Sequence, residues 1–366
     1  MTGKIAQAAR TAFVLQGGGA LGSYQAGAIS RLEDVGIQPD FVAGISIGSI
    51  NAAIVAGNPP ERRAARLREF WERVSGTDIW PDLGAFGPAF ALTFGAPGFF
   101  APRQPPAALY AGSPHRVGFY DTTPLRKTLE RLVDFDLLNE GLVRIVVGSV
   151  NVATGDFVWF DSAERRIGPE HIMASGALPP AFPPVEVDGQ YYWDGGLMSN
   201  TPLTRVIEAR HDARPLVIWQ VDLFSARGPV PHAIWSIEAR EKDIRFSSRT
   251  RALTDRVRAA HALATALHHH RAALPAALAG DPAVAGLLAE PARAPLTLIH
   301  LIYRAKPYET GAKDYDFSRA SMRMHWEAGR TDVTRSLAHA GLHAHDPASP
   351  GMHVFDATDA HDEEPT

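Results

Sequence analysis

Gly44-Ile45-Ser46-Ile47-Gly48 has the spacing of a nucleophilic serine on a sharp strand-to-helix turn. Such a turn strains the serine backbone, and glycines two residues to either side let neighbouring chains pass closely. The hydroxyl then projects at a helix N-terminus, where the dipole and free amides favour developing negative charge. A serine that merely caps the helix is the plain alternative at the same spot. An earlier turn, Gly17-Gly18-Gly19-Ala20-Leu21-Gly22, leaves glycine amides unshielded. The N–H groups of Gly17, Gly18 and Gly19, with that of Ile47, are candidates for an oxyanion hole. Each well-placed donor would be worth on the order of 3 kcal/mol in a transition state.

Gly17-x-Gly19-x-x-Gly22 also satisfies the dinucleotide-binding spacing, which by itself is a weak signal. That chemistry expects an acid at the end of the second strand. Here Asp40 precedes that strand, and its far end is the serine turn, so nucleotide binding is the weaker reading.

A serine nucleophile needs a base, for which histidine is the default. None of the 15 histidines stands out. His171 precedes an apolar segment, and His268, His269 and His270 would point around a helix rather than at one site, with weak metal binding the minority reading for that triplet. Asp194 is the more pointed candidate. Tyr191-Tyr192-Trp193 is an apolar strand, and Asp194-Gly195-Gly196 puts a carboxylate at its end with glycines that let another group approach. An ordinary Asp-Gly turn is the plain alternative.

The first 56 residues that must position these groups read strand, glycine turn, helix, strand, glycine turn, helix. The strands are Phe13-Val14-Leu15 and Phe41-Val42-Ala43; the helices carry Tyr24, Ala28, Leu32 and Val35, then the small residues of Ser49 to Ala56. That alternation predicts an α/β domain with a parallel sheet. A helix after Asn58-Pro59-Pro60 buries Leu67, Phe70, Trp71 and Val74, and one after Thr123-Pro124 buries Leu125, Leu129, Leu132 and Val133. Further strands are expected at Arg144 to Val150, Phe157 to Phe160, Leu216 to Val221 and Leu298 to Tyr303. Ile237 to Leu274 reads as a long helix, with a solvated charged face favoured over a membrane or dimer contact. Residues 77 to 121, with Phe86, Phe90, Phe94, Phe99, Phe100 and Tyr110 among many prolines and glycines, are either an apolar lid or an irregular packed loop.

With 366 residues the chain can bury a substantial core, and without cysteine it can carry neither a disulfide nor a catalytic thiol. No apolar run suits a signal peptide or a membrane span; the longest uncharged stretch, Leu83 to Pro102, is broken by six prolines and glycines. A soluble, cytoplasmic protein is therefore expected. The 36 Lys and Arg against 40 Asp and Glu give a formal charge of −4, but six of those acids lie between Asp346 and Thr366. The rest of the chain is +2, which gives no nucleic-acid footprint, and the acidic tail is expected to be disordered.

The ordered set Gly17 to Gly22, Gly44 to Gly48 and Asp194-Gly195-Gly196 resembles the patatin-like phospholipases. Weaker stretches support it: Ala174 to Pro184, and Asn200-Thr201-Pro202. The resemblance implies a central, mostly parallel sheet between helices, and serine lipid acyl hydrolase activity through a Ser–Asp dyad that needs no metal or other cofactor. It implies that Ser46 is the nucleophile and Asp194 the proton acceptor, with Gly22, Gly44, Gly48, Gly195 and Gly196 shaping the turns. The family's first motif usually has a basic residue where this chain has Leu21, so any hole here must rely on backbone amides.

Residues 235 to 330 resemble an uncharacterised C-terminal region of bacterial relatives. The expected organisation is an N-terminal segment 1–11, a catalytic domain 12–222, a mainly helical extension 223–345 and the tail 346–366. The expected partner is a phospholipid or other acyl ester (a triacylglycerol, a lysolipid or a storage polyester), with room for peripheral contact at the inner membrane face. An idle lipid-binding or regulatory module is the alternative from another class.

Overall fold

The computed structural model describes residues 9–76, 87–103, 112–289, 294–304, 309 and 311–356. Its strands are β1 Arg10–Leu15, β2 Phe41–Ile45, β3 Ala101–Pro102, β4 Tyr120–Asp121, β5 Arg144–Asn151, β6 Phe157–Asp161, β7 Val185–Val187, β8 Gln190–Asp194, β9 Leu216–Asp222, β10 Leu296–Ile302 and β11 Met352–Asp356. Nine of them form one sheet in the order β11-β10-β9-β1-β2-β5-β8-β7, with β6 also paired to β5. From β11 to β5 the neighbours along this order are parallel; β6, β7 and β8 join antiparallel.

The central strands are mostly apolar because both faces are covered. Phe13, Leu15, Val217, Trp219, Ile299 and Leu301 point into one core, while Ala12, Val14, Leu216, Ile218, Leu296 and Leu298 point into the other. The first core is roofed by helices α1 (Gly22–Asp34), α2 (Ile47–Ala56) and α3 (Pro60–Val74). Chain order continues with α4 (Gly87–Phe94), α5 (Thr123–Leu132), α6 (Pro169–Ser175), α7 (Leu203–Glu208), α8 (Ile234–His269) and α9 (Arg319–Ala338). The second core is closed by Leu203 and Val206 of α7 and Val257 of α8.

The C-terminal region is mainly helical, with α8 and α9, and its expected strand at Leu298 to Tyr303 is β10. It adds β10 and β11 to the central sheet, so the sheet does not end at residue 222. Helix α9 also lies backbone to backbone on α1: a Cβ on Gly27 would come within 2.0 Å of the Trp326 carbonyl oxygen, and one on Gly329 within 2.1 Å of that of Tyr24. The Tyr24 hydroxyl donates to Asp332 across this contact at 2.8 Å. The acidic tail, expected to be disordered, holds the correction. Its residues Met352–Asp356 form β11, parallel to β10, because Val354 and Phe355 offer an apolar strand that the acidic composition conceals. Residues 357–366 lie outside the described part.

The long helix begins at Ile234 and ends at His269. On this helix Ala260 is exposed and His261 is buried, its Nε2 3.2 Å from the Ala294 carbonyl oxygen. No described helix is long and apolar enough to cross a membrane.

Candidate active site

β2 ends at Ile45, and the next residue turns sharply into α2. Ser46 takes φ 56° and ψ −125°, a left-handed position that costs a non-glycine residue about 1–3 kcal/mol. The surroundings hold it there. Its N–H donates to both the carbonyl and the hydroxyl oxygen of Ser175, each at 3.1 Å, and its carbonyl accepts from the Ser49 hydroxyl at 2.6 Å. Gly44 and Gly48 are required by close passage: a Cβ on Gly44 would lie 2.3 Å from the Gly48 carbonyl oxygen, and one on Gly48 2.4 Å from that of Leu15. Gly22 lets α1 approach Ile47, where a Cβ would come within 2.5 Å.

Asp194 reaches the serine from a strand running the other way. The registers Ile45↔Gly148 and Ser149↔Asp194 bring the end of β8 beside the end of β2. Gly195 permits this, since a Cβ there would lie 2.5 Å from the Gly148 carbonyl oxygen. The Asp194 carboxylate accepts from the Gly196 amide at 2.7 Å and from the Ser46 hydroxyl. Burial pushes its pKa up from 3.8 to about 7, against the lowering effect of those two hydrogen bonds. A carboxyl in that range is a far stronger base than a free aspartate and accepts a proton near neutral pH.

The first glycine turn faces the pair. Gly17 passes Ser46 closely, and its N–H donates to the Asn200 carbonyl at 3.2 Å while its own carbonyl accepts from the Asn200 side-chain amide at 2.9 Å. The Gly17 amide is thereby committed, which removes it from the expected donors. The amides of Gly18, Gly19 and Ile47 are paired with no acceptor among the described residues. Leu21 is wholly buried in the core.

Several positioning residues escaped the sequence reading. The Gln16 side chain accepts from the Leu223 and Phe224 amides at 2.6 and 3.2 Å. Gln25 donates to the Gln16 carbonyl at 2.7 Å, Asn51 donates to Gln25 at 3.0 Å, and the Trp71 indole donates to Asn51 at 3.1 Å. This buried chain of neutral groups ties the glycine turn to α1, α2 and α3. The available signal was an amide side chain on each of three otherwise apolar segments, a pattern that buried helices carry only when the amide is satisfied.

A cavity of about 880 Å³, its open mouth included, runs from Ser46 and Asp194 along Ile47, Ile50, Phe99 and Phe100. Apart from the serine–aspartate end its lining is almost wholly apolar and aromatic, and it contains no histidine, lysine or arginine among the described residues. His171 is buried elsewhere, its Nδ1 accepting from the Gly168 amide at 2.9 Å, and His269 and His270 are exposed at the end of α8. Of the segment offered as lid or packed loop, residues 87–103 and 112–121 are described. Phe99 and Phe100 are buried wall, whereas α4 leaves Leu92 and Phe94 48% and 64% exposed. Phe86 and Tyr110 lie outside the described residues.

A family model described as patatin-like phospholipase matches residues 13–207, and a second, described as patatin phospholipase, matches residues 244–348. Patatin-like phospholipase domain-containing protein 6 from Mus musculus and from Homo sapiens are each 29% identical over 193 residues, 52% of this chain and 12% of theirs. The chain thus spans only 12% of the length of these curated relatives. Among solved structures, VipD from Legionella pneumophila aligns with a TM-score of 0.36 and 12% identity over 89% of this chain and 67% of that one. Human GIVD cytosolic phospholipase A2 aligns at 0.33 and 12%, over 58% of this chain and 43% of that one.

Proposed function

The chain belongs to the patatin-like phospholipase family, and from that premise we propose that it hydrolyses carboxylester bonds of lipids through Ser46 and Asp194. The observation that carries the reading is a strained serine whose hydroxyl donates to a buried carboxylate at the end of an apolar cavity.

In the reaction Ser46 Oγ forms a bond to the ester carbonyl carbon while its proton passes to Asp194. Negative charge grows on the carbonyl oxygen, and the amides of Gly18, Gly19 and Ile47 receive it. Collapse breaks the carbon–oxygen bond to the alcohol, which leaves with the proton held on Asp194. Water then attacks the acyl-enzyme as Asp194 takes its proton, and the fatty acid departs as Asp194 passes that proton to Ser46 Oγ. The aspartate does both proton transfers because burial has already raised its basicity.

The alternatives have less support. A dinucleotide would need an acid at the end of β2, where this chain has Ser46, and Gly17, Gly18 and Gly19 line the cavity that Ser46 opens into. An idle lipid-binding module needs neither a strained Ser46 nor a buried Asp194, both of which cost stability.

Labelling with a fluorophosphonate followed by peptide mapping tests the proposal. Modification at Ser46, lost in Ser46→Ala, is the expected result. A folded chain that retains lipid binding but neither labels nor hydrolyses any ester would make it a binding module.

A further inference from the structure

The C-terminal region has no role in the chemistry above, yet it builds one wall of the cavity. Phe246 of α8, with Tyr315 and Phe317 from the segment before α9, lines the space that Ser46 opens into. Burial separates the deep end from the mouth. Phe99, Phe100 and Phe317 are each under a tenth exposed (7%, 6% and 8%), whereas Leu92 at the mouth is half exposed. The Phe317 ring stands edge-on to Phe99 and Phe100, with centroids 5.6 and 6.0 Å away, and so plugs the deep end.

Two crossed ion pairs hold this wall in place. Adjacent residues of α8, Lys242 and Asp243, pair with adjacent residues of the segment in reverse order. Lys242 Nζ lies 2.8 Å from Asp314 Oδ1, and Lys313 Nζ lies 2.7 Å from Asp243 Oδ1. Lys242 also donates to the Gly311 carbonyl at 2.9 Å, and its ammonium sits 4.9 Å from the Tyr315 ring centre. All four charged side chains are 15% exposed or less. Separating either pair would strand a buried charge, so the segment has one strongly preferred seat. From that seat the Asp314 carbonyl abuts Gly19 in the first glycine turn.

We infer that the C-terminal region sets the acyl-chain length this site accepts, with Phe317 as the stop at the deep end and the Lys242–Asp314 and Lys313–Asp243 pairs as its clamp. The inference rests on the ester-hydrolase reading above. The geometry gives it a direction. Removing the Phe317 ring joins new apolar volume to the cavity, which helps a long chain and gives nothing to a chain too short to reach it. Loosening the clamp lets the stop give way, which helps a long chain in the same direction, though by less.

The test uses the full chain and p-nitrophenyl esters from butyrate to palmitate. Phe317→Ala is expected to raise the palmitate-to-butyrate ratio of kcat/KM about tenfold, and Phe317→Leu to raise it less. Lys242→Met is expected to raise the same ratio by less than Phe317→Ala does, and Lys242→Arg to return it to the wild-type value; Leu278→Ala, on the exposed surface, serves as a control with the wild-type ratio. Phe317→Leu keeps the test alive if the alanine variant does not fold. A ratio unchanged or lowered in folded Phe317 variants, with butyrate hydrolysis intact in the wild type, overturns the inference and leaves the hydrolase reading standing. A wild-type chain that hydrolyses no ester and does not label at Ser46 overturns both.

Discussion

The backbone N–H of Ser46 is shared between two oxygens of one residue, the carbonyl and the hydroxyl of Ser175, each 3.1 Å away. The Ser175 hydroxyl in turn donates to the Gly148 carbonyl at 2.7 Å, on the strand that also receives Asp194. Ser175 therefore connects the nucleophile's turn to the sheet beside its base. Ser175→Ala removes one acceptor and leaves the Gly148 carbonyl without that donor, a loss of about 1 kcal/mol by the usual worth of such bonds. We expect kcat on a short-chain ester to fall about five- to tenfold with KM little changed, as steady-state kinetics would show. An unchanged kcat would mean that the Ser46 turn needs no support from this side.

The pH profile follows from the Asp194 carboxyl. Proton transfer from Ser46 requires the ionised form, and burial places that ionisation at about 7. The rate on an uncharged ester should therefore fall as pH drops through about 7, by about tenfold per unit in the acid limb. A plateau that continues down to pH 5 would show that a different group controls the step.

Stability should run the opposite way. Because the folded chain holds the Asp194 proton more tightly than the unfolded chain does, this group's contribution is complete below the unfolded value of 3.8. It is lost as pH rises to about 7. The full difference corresponds to about 4 kcal/mol at most. Asp194→Asn abolishes ionisation while keeping an oxygen for the Gly196 amide. It should melt several degrees above wild type at pH 8, with the gap closing toward pH 4, while ester hydrolysis is lost. Equal melting temperatures at pH 8 would show that the carboxylate is not strained by its burial.

Much of this site can be read in the sequence because glycine spacing reflects steric demand. Gly44, Gly48 and Gly195 each sit where a Cβ would strike a carbonyl oxygen, so composition alone marks the turns. The strands β1, β2, β5 and β9 are likewise visible as apolar runs, since burial on both faces demands them. The pairings of residues far apart in sequence were hidden. Nothing local in Asn200 signals that it closes the first glycine turn, and Lys242 and Asp314 look like ordinary surface charges until the fold brings them together. Composition misled at β11, where five strand residues sit inside an acidic tail.

Exposed apolar side chains lie at or within three residues of Leu92 and Tyr120, which line the cavity. Leu92 and Phe94 on α4 and Val117 and Phe119 before β4 are 48%, 64%, 55% and 58% exposed. We propose that these side chains meet a lipid surface, from which a chain passes into the cavity. Replacing both Phe94 and Phe119 by serine should reduce co-sedimentation with phosphatidylcholine vesicles by several-fold. Hydrolysis of a dissolved short-chain ester should change much less. Equal losses on both substrates would assign these rings to folding instead.

Gly19 and Gly36 give a controlled comparison of backbone strain and close contact. Both have positive φ, 56° and 78°, so alanine costs each about 1 kcal/mol of conformational energy. Around Gly36 nothing lies within 4 Å of a Cβ, whereas at Gly19 the Cβ would come within 2.2 Å of the Asp314 carbonyl oxygen. Gly36→Ala should therefore lose about 1 kcal/mol of stability and keep its activity. Gly19→Ala must push apart the first glycine turn and the clamped segment, which moves an oxyanion donor and the acyl wall together. A misplacement of about 1 Å there costs on the order of a hundredfold in rate. We expect kcat/KM of Gly19→Ala to fall by about that factor, with an added overpacking penalty of about 1–3 kcal/mol in denaturant titrations. Similar kinetics in the two variants would mean that the Gly19 amide takes no part in stabilising the transition state.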